Sequence, residues 1–174
     1  MKYIVEVFKV LRIFLTAVIP VMLVANSQSL VAAAKEPSGK KAPTVSATPI
    51  RGLNPAGTVV TVSGRNFDQS VGIYVAFCVT PSRGQQPSPC GGGVNIGGAS
   101  AASVWISSNP PPYGRSLATP YSAGGRFKVR VAVSALIASI DCRKVSCAVV
   151  TRADHTRPGD RRFDTALPVS FSAE

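Results

Sequence analysis

The sequence predicts an all-β protein, an immunoglobulin-like antiparallel sandwich of about seven strands with two disulfides. Short runs rich in β-branched and aromatic residues recur along the chain, separated by glycine- and proline-rich turns, and no stretch shows a convincing helical period. The chain also has an even number of cysteines, four, behind an N-terminal segment typical of exported proteins. These observations favour a small secreted β domain that is held by disulfides.

The first segment, residues 1–34, is predicted to be a secretory signal peptide. Basic residues precede a short uncharged apolar run, IFLTAVIPVMLVA (13–25), and small residues follow up to Ala34. The run is shorter than the about 20 residues that span a bilayer, so cleavage after Ala34 is expected, with an uncleaved anchor as the alternative. The mature protein is therefore expected to be secreted or associated with the cell envelope, without a transmembrane span.

Residues 35–43, KEPSGKKAP, are predicted to be a linker, and residues 44–174 are predicted to be one β-sandwich domain. The strand pattern is clearest in RFKVRVAV (126–133), where basic and apolar residues alternate, which indicates one exposed and one buried face. The segment SALIASI (134–140) fits either a strand end or a helical turn. The residues predicted to form the core are Val60, Val62, Ile73, Val75, Phe77, Phe127, Val129, Val131, Leu167, Val169 and Phe171.

Two segments are predicted to be loops from their composition. PSRGQQPSP (81–89) lies between Cys78 and Cys90, and SSNPPPYGRSLATPYSAGG (107–125) is long and rich in proline. Loops longer than about 12–15 residues in a compact domain are usually functional or disordered. The second loop is therefore a place to look for a binding surface.

The cysteines are predicted to be structural. Zinc motifs usually pair cysteines two to four residues apart and repeat the pair, whereas the two spacings here differ and His155 is the only histidine. A CxxC redox motif is absent. Four cysteines allow three pairings, and the residues alone leave these open. The cysteines are Cys78, Cys90, Cys142 and Cys147.

Three stretches carry a resemblance to a known family. APTVSATPIRGLNPAGTVVTVSGRNF (42–67) at the start, and DCRKVSCAVV (141–150) and LPVSF (167–171) at the end, resemble the neocarzinostatin family, the apoproteins of enediyne chromoprotein antibiotics. The resemblance covers most of residues 42–172. It implies a seven-stranded immunoglobulin-like sandwich with sequential disulfides, Cys78 to Cys90 and Cys142 to Cys147.

The resemblance also implies a function. In the family, a cleft beside the first disulfide-closed hairpin holds an unstable, DNA-damaging aromatic chromophore. The first hypothesis is therefore a secreted antimicrobial carrier that sequesters a small aromatic molecule, with a non-covalently bound enediyne-like chromophore as its cofactor and with nucleic acid reached chiefly through that ligand. The candidate ligand-binding residues are the aromatic side chains Phe77, Trp105, Tyr113 and Tyr121.

The only tryptophan, Trp105, alternates with Val104 and Ile106. If those two face the core, Trp105 faces outward and can line a binding surface; in the alternative it packs beneath the proline-rich loop. Tyr113 and Tyr121 lie in that loop and would complete an aromatic pocket. The alternative for these tyrosines is packing against proline that orders the loop.

Charge supports a second hypothesis. The chain has a formal net charge of +11, whereas apoproteins of the family are typically acidic, and the segment between Val133 and Cys142 is shorter than in the family. The second hypothesis is a cell-envelope interaction domain that binds an anionic polymer or surface without a chromophore. Simple solvation is the alternative for these charges. The predicted basic patch is Arg126, Lys128, Arg130 and Arg152.

The chain is predicted to be a non-enzyme and a monomer. Asp154, His155, Asp160 and Asp164 lie in a turn-rich stretch and could suggest acid–base chemistry or a metal site. No partner nucleophile is spaced to complete a recognisable catalytic set, so loop solvation is the expected role of these residues.

Overall fold

The computed structural model describes residues 41–92 and 102–173, which belong to one compact unit, Gly39–Glu174. The predicted signal peptide, residues 1–34, lies outside the described residues, as does most of the predicted linker, residues 35–43. No helix in the described ranges is long and apolar enough to cross a membrane.

The described chain forms nine β-strands and no α-helix; one turn of 3₁₀ helix, Pro112–Gly114, lies in the proline-rich loop. This confirms the predicted all-β class. The strands are β1 Thr44–Thr48, β2 Thr58–Arg65, β3 Ile73–Val79, β4 Ser103–Ile106, β5 Phe127–Val133, β6 Leu136–Ile137, β7 Ile140–Asp141, β8 Cys147–Ala153 and β9 Thr165–Pro168.

The strands form two larger sheets and one small hairpin. The three-stranded sheet has the order β1-β2-β5, the four-stranded sheet has the order β4-β3-β8-β9, and β6 pairs with β7. All of these pairings are antiparallel. The stretch 134–140, which the sequence left open, contributes β6 and the start of β7, so it is a strand segment and not a helical turn.

The core lies between the inner faces of the two sheets. Across β2 and β5, Val60 is opposite Val131 and Val62 is opposite Val129, and all four side chains are buried. The next pair is Gly64 with Phe127, where a methyl group at Gly64 would fall 2.2 Å from a ring carbon of Phe127. Glycine at this position therefore lets the Phe127 ring lie across β2.

An aromatic cluster closes one end of this core. Phe67 lies at its centre, with ring centroids 5.3 Å from Phe127, 6.3 Å from Tyr121 and 6.4 Å from Phe163. Each of these rings is buried. Such contacts add to the free energy of burial through edge-to-face and offset stacking. Phe67, Tyr121 and Phe163 were absent from the predicted core because they lie in turns, where no alternation marks them.

Most of the predicted core is confirmed, with β9 as the exception. Eight of the eleven predicted residues, from Val60 to Val131, are buried in the main cluster, while Val169 and Phe171 are partly buried against it. Leu167 is half-buried and lies outside the main cluster. The reason is position: β9 is an edge strand of the four-stranded sheet, so the second layer covers it incompletely.

Both disulfides are present, with the pairing that the resemblance implies. Cys78 bonds to Cys90 and Cys142 bonds to Cys147, and no described cysteine is free. Backbone hydrogen bonds flank the first bridge on both sides, from Val79 N to the Pro89 oxygen and from Gly91 N to the Phe77 oxygen. Cys78 also belongs to a small second cluster on the outer face of the four-stranded sheet, with Ala76, Ala148 and Val150.

We expect loss of the first disulfide to cost more stability than loss of the second. The bridged positions are 12 and 5 residues apart, for which the chain-entropy model gives about 3 and about 2 kcal/mol. Replacing Cys78 also removes a fully buried sulfur. Urea unfolding of Cys78→Ala/Cys90→Ala and of Cys142→Ala/Cys147→Ala measures both losses. A larger loss in the second variant would contradict the prediction.

Candidate functional site

The outer face of the three-stranded sheet presents hydroxyl-bearing and basic side chains in three successive rows. The register of β1, β2 and β5 sets these rows, because each strand turns alternate side chains outward. We call this surface the basic face. Row by row, its residues are Thr48, Thr61 and Arg130; Ser46, Ser63 and Lys128; and Thr44, Arg65 and, just before β5, Arg126.

The three strands that form the basic face carry no acidic residue. The chain contains no Asp or Glu between residues 69 and 140 or between residues 37 and 67. Three acids elsewhere in the described chain form ion pairs, Asp141 with Arg143 at 3.0 Å, Asp160 with Arg162 at 2.7 Å and Asp164 with Arg161 at 3.1 Å. Among described residues, the four cations of the basic face make no ion pair. Those cations are Arg65, Arg126, Lys128 and Arg130.

Two open grooves, of about 530 and 570 Å³, lie at one end of the basic face. Thr44, Arg65 and Arg126 line both grooves, and Lys41 lines the second. The Arg65 Nε donates to Thr44 Oγ1 at 2.8 Å, which orients its guanidinium along the groove wall. The surface is therefore a broad, positively charged and solvent-accessible depression.

Three of the four residues of the predicted basic patch lie on this face, and Arg152 does not. Arg152 is on β8, which pairs with β3 and β9 in the other sheet, and its side chain belongs to the outer face of that sheet. Only 8% of Arg152 is exposed, and its guanidinium carbon lies 5.6 Å from the centre of the Tyr74 ring. The prediction was wrong here because sequence proximity does not reveal which sheet a strand joins. Conversely, the alternation in TVSGR (61–65) could have identified Arg65 as a further exposed cation on the same face as Thr61 and Ser63.

Trp105 packs beneath the proline-rich loop, which is the alternative that the sequence left open. It is 1% exposed, although it lies on the outer face of its sheet. A Cβ atom at Gly114 would fall 2.3 Å from Trp105 Cζ3, so the loop crosses directly over the indole. The indole Nε1 donates to Asp154 Oδ2 at 2.9 Å. Trp105 is therefore a buried anchor and not an open binding surface.

Phe77 and Tyr121 are core residues, which corrects their prediction as lining residues of a pocket. Phe77 is 1% exposed and belongs to the main core cluster. Tyr121 is 7% exposed, and its hydroxyl donates to the Val71 carbonyl oxygen at 3.1 Å. Phe77 enters the core because side chains alternate along β3. Tyr121 is held in the core by stacking on Phe67.

Tyr113 remains accessible, with 57% of its surface exposed, and it forms one end of a hydrogen-bonded chain. Its hydroxyl lies 2.6 Å from His155 Nε2, and the hydroxyl of Tyr74 lies 2.6 Å from His155 Nδ1. A neutral imidazole donates from one nitrogen and accepts at the other, so the chain can be fully satisfied. Within the described ranges, no group of three or more His, Cys, Asp or Glu could hold a metal ion.

Burial keeps the two inner tyrosines neutral. Desolvation, followed by the charge of Asp154, raises the pKa of Tyr74 to about 12. The same two causes raise the pKa of Tyr121 still further. On the surface, hydrogen bonds from Arg162 lower the pKa of Asp160 to about 2. The tyrosines therefore act as hydrogen-bonding and packing groups at physiological pH and not as bases.

No family model matches this chain, and no curated protein matches it. Among solved structures, macromomycin is similar to the chain, with 19% identity, coverage of 75% of this chain and 99% of macromomycin, and a TM-score of 0.47. A likeness of this size assigns neither a family nor a ligand. The resemblance to the neocarzinostatin family, and the non-enzymatic carrier that it implies, therefore stay predictions.

Stability should fall at alkaline pH, in part through Tyr74. Its pKa is about 12 when folded and near 10.0 when unfolded, so its contribution is complete below pH 10.0 and is lost as pH rises to about 12. The expected loss is on the order of 2 kcal/mol. Unfolding free energies measured across this range should show a shallower decline for Tyr74→Phe. The matched control, Tyr113→Phe, also loses a bond to His155 and should change the decline less than Tyr74→Phe, because Tyr113 makes only the smallest named contribution to the pKa of Tyr74.

The contact between Gly114 and Trp105 gives a second prediction. Because a methyl group at Gly114 would overlap the indole, Gly114→Ala should destabilise the protein by about 1–3 kcal/mol and shift the Trp105 fluorescence. Gly159→Ala is the control, since a Cβ there meets nothing within 4 Å. Equal stability of the two variants would show that the loop does not rest on Trp105.

Proposed function

We propose that this protein is a non-enzymatic binding module whose basic face docks onto a linear anionic polymer of the cell envelope. The observation that carries the proposal is a sheet face with four exposed cations, five hydroxyl side chains and no acid. Such a surface favours partners of opposite charge and speeds their association. The predicted export of the chain supports an envelope polymer over an intracellular one.

The spacing of the cations supports an extended partner. Arg126, Lys128 and Arg130 lie at alternate positions, so their side chains leave the sheet about 6.8 Å apart. A polymer with anionic groups at regular intervals can contact these residues in succession. Ser63 and Thr61 lie beside Lys128 and Arg130, where their hydroxyls can donate to polymer oxygens.

The carriage of a small aromatic ligand has less support from the described residues. Three of its four predicted contacts, Phe77, Trp105 and Tyr121, are buried. The cavity beside Tyr74 and His155 measures about 150 Å³, whereas sites for drug-sized ligands usually measure about 300–1,000 Å³. The carrier hypothesis stays a prediction, and the polymer proposal does not depend on it.

A charge-matched pair of variants tests the polymer proposal. Arg126→Gln/Lys128→Gln/Arg130→Gln removes three positive charges from the basic face, and Arg51→Gln/Arg83→Gln/Arg115→Gln removes three exposed charges elsewhere. Titration calorimetry with linear inorganic polyphosphate and with isolated envelope polyanion should show at least about a tenfold loss of affinity for the first variant only. Equal losses would mean that net charge, and not the face, drives binding.

Salt dependence provides a second measurement. Each lost contact with a phosphate lowers the slope of log affinity against log salt by about 0.7 for a flexible strand, so the face variant should lose roughly 2 from the slope. Binding that is independent of salt would contradict the proposal. Tighter binding to single-stranded DNA than to envelope polyanion would assign the face to nucleic acid instead.

A further inference from the structure

Arg152 is a buried cation without a hydrogen-bonding partner. It is 8% exposed, its Nε is fully covered, and no described residue accepts a hydrogen bond from its guanidinium. Burial lowers the pKa of Arg152, and repulsion from the nearby charge of Arg161 lowers it further. An unpartnered buried charge costs several kcal/mol of stability unless another group compensates it. Packing alone therefore does not account for a covered, unpartnered Nε at this position on the outer face of the four-stranded sheet.

Neither nearby carboxylate accepts a hydrogen bond from Arg152, although the buried Oδ1 of Asp164 has no hydrogen-bond partner and the charge of Asp164 attracts Arg152. Asp164 Oδ2 lies 3.1 Å from Arg161 Nη1. Asp154 accepts from Trp105 Nε1 through one oxygen and from the backbone and hydroxyl of Thr156 through the other. The Tyr74 ring beneath the guanidinium offers a cation–π contact, which does not use its N–H donors. Arg152 therefore keeps donors that these neighbours leave unused.

A cavity of about 150 Å³ opens beside Arg152. Its volume equals that of roughly five water molecules in the liquid, at about 30 Å³ each. It can hold a phosphate-sized group but not a polycyclic molecule. Gln86, from the disulfide-closed hairpin, is exposed and stands at its rim. The lining residues are Tyr74, Gln86, Arg152, Ala153, Asp154, His155 and Pro158.

We propose that this cavity is a binding site for a small oxyanion, with Arg152 as its charged anchor. A guanidinium presents paired N–H donors in a plane that matches two oxygens of a phosphate or carboxylate. Gln86 can add a side-chain amide donor at the mouth. Asp154 lines the same cavity, but its oxygen Oδ2 packs toward Gly72 and Ser107, where a Cβ at Gly72 would meet it. Both oxygens of Asp154 accept hydrogen bonds from Trp105 or Thr156, and its charge, which also raises the pKa of Tyr74, is the repulsion that Arg152 has to outweigh.

This site is separate from the basic face. Arg152, Tyr74 and Trp105 lie on the outer side of the four-stranded sheet, whereas the basic face is the outer side of the other sheet. The two surfaces share no residue. Variants can therefore remove one site without altering the other, and the inference does not rest on the proposed polymer binding.

The test uses the full chain with inorganic phosphate as the probe, titrated at constant ionic strength against chloride. Arg152→Gln removes the anchor, and Arg157→Gln removes an exposed charge from the turn that follows β8, as a matched control. The Arg152 Nε–H resonance should shift with saturation in the wild type, and affinity should fall at least tenfold in Arg152→Gln and stay unchanged in Arg157→Gln. A parallel titration with phenyl phosphate distinguishes a free anion from the terminal phosphate of a larger molecule.

Three results would overturn the proposal. The first is the absence of a saturable shift with either probe in the wild type. The second is phosphate binding that disappears in Arg126→Gln/Lys128→Gln/Arg130→Gln and persists in Arg152→Gln, which would assign the anion to the basic face. The third is wild-type affinity in Arg152→Gln. If Arg152→Gln does not fold, Arg152→Lys and the wild-type Nε–H resonance decide the question.

Discussion

The register between β2 and β5 is the constraint on which both the core and the candidate site depend. Opposite residues alternate between the two faces of the sheet, so Val60 and Val131 enter the core while the neighbouring pair, Thr61 and Arg130, faces solvent. A slip of one residue would bury Arg130 and expose the valines, because side chains alternate with a period of two. The same pairing that fills the core therefore also aligns the cations of the basic face.

The four-stranded sheet has a different arrangement, because loops cover part of its outer face. The proline-rich loop crosses over Trp105, and Gln86 of the Cys78–Cys90 hairpin lines the cavity beside the buried Tyr74 and Arg152. Covering a sheet face with irregular backbone buries polar groups, and these need partners. Asp154 finds them in Trp105 and Thr156, whereas Arg152 does not. This imbalance, and not the shape of the surface, marks the cavity as a candidate site.

Sequence patterns predicted the parts of this structure that depend on local periodicity. Alternation in residues 126–133 predicted β5, its buried valines and its exposed cations, and the resemblance implied the disulfide pairing. The errors share one physical cause. The sheet that β8 joins, and the loop that covers Trp105, are set by contacts between residues far apart in the chain. Periodicity therefore showed which face of a strand Trp105 occupies, but not whether protein or water covers that face.

The two candidate anion sites differ in the dielectric environment of their cations, and this decides what each can bind. Exposed charges such as Lys128 interact weakly one by one and are screened by salt within about 8 Å at physiological ionic strength, so they act only in a series along a polymer. Arg152 is buried against the Tyr74 ring, where screening is weaker and one well-placed anion can gain more. An extended, salt-sensitive partner therefore fits the basic face, and a single small anion fits the cavity.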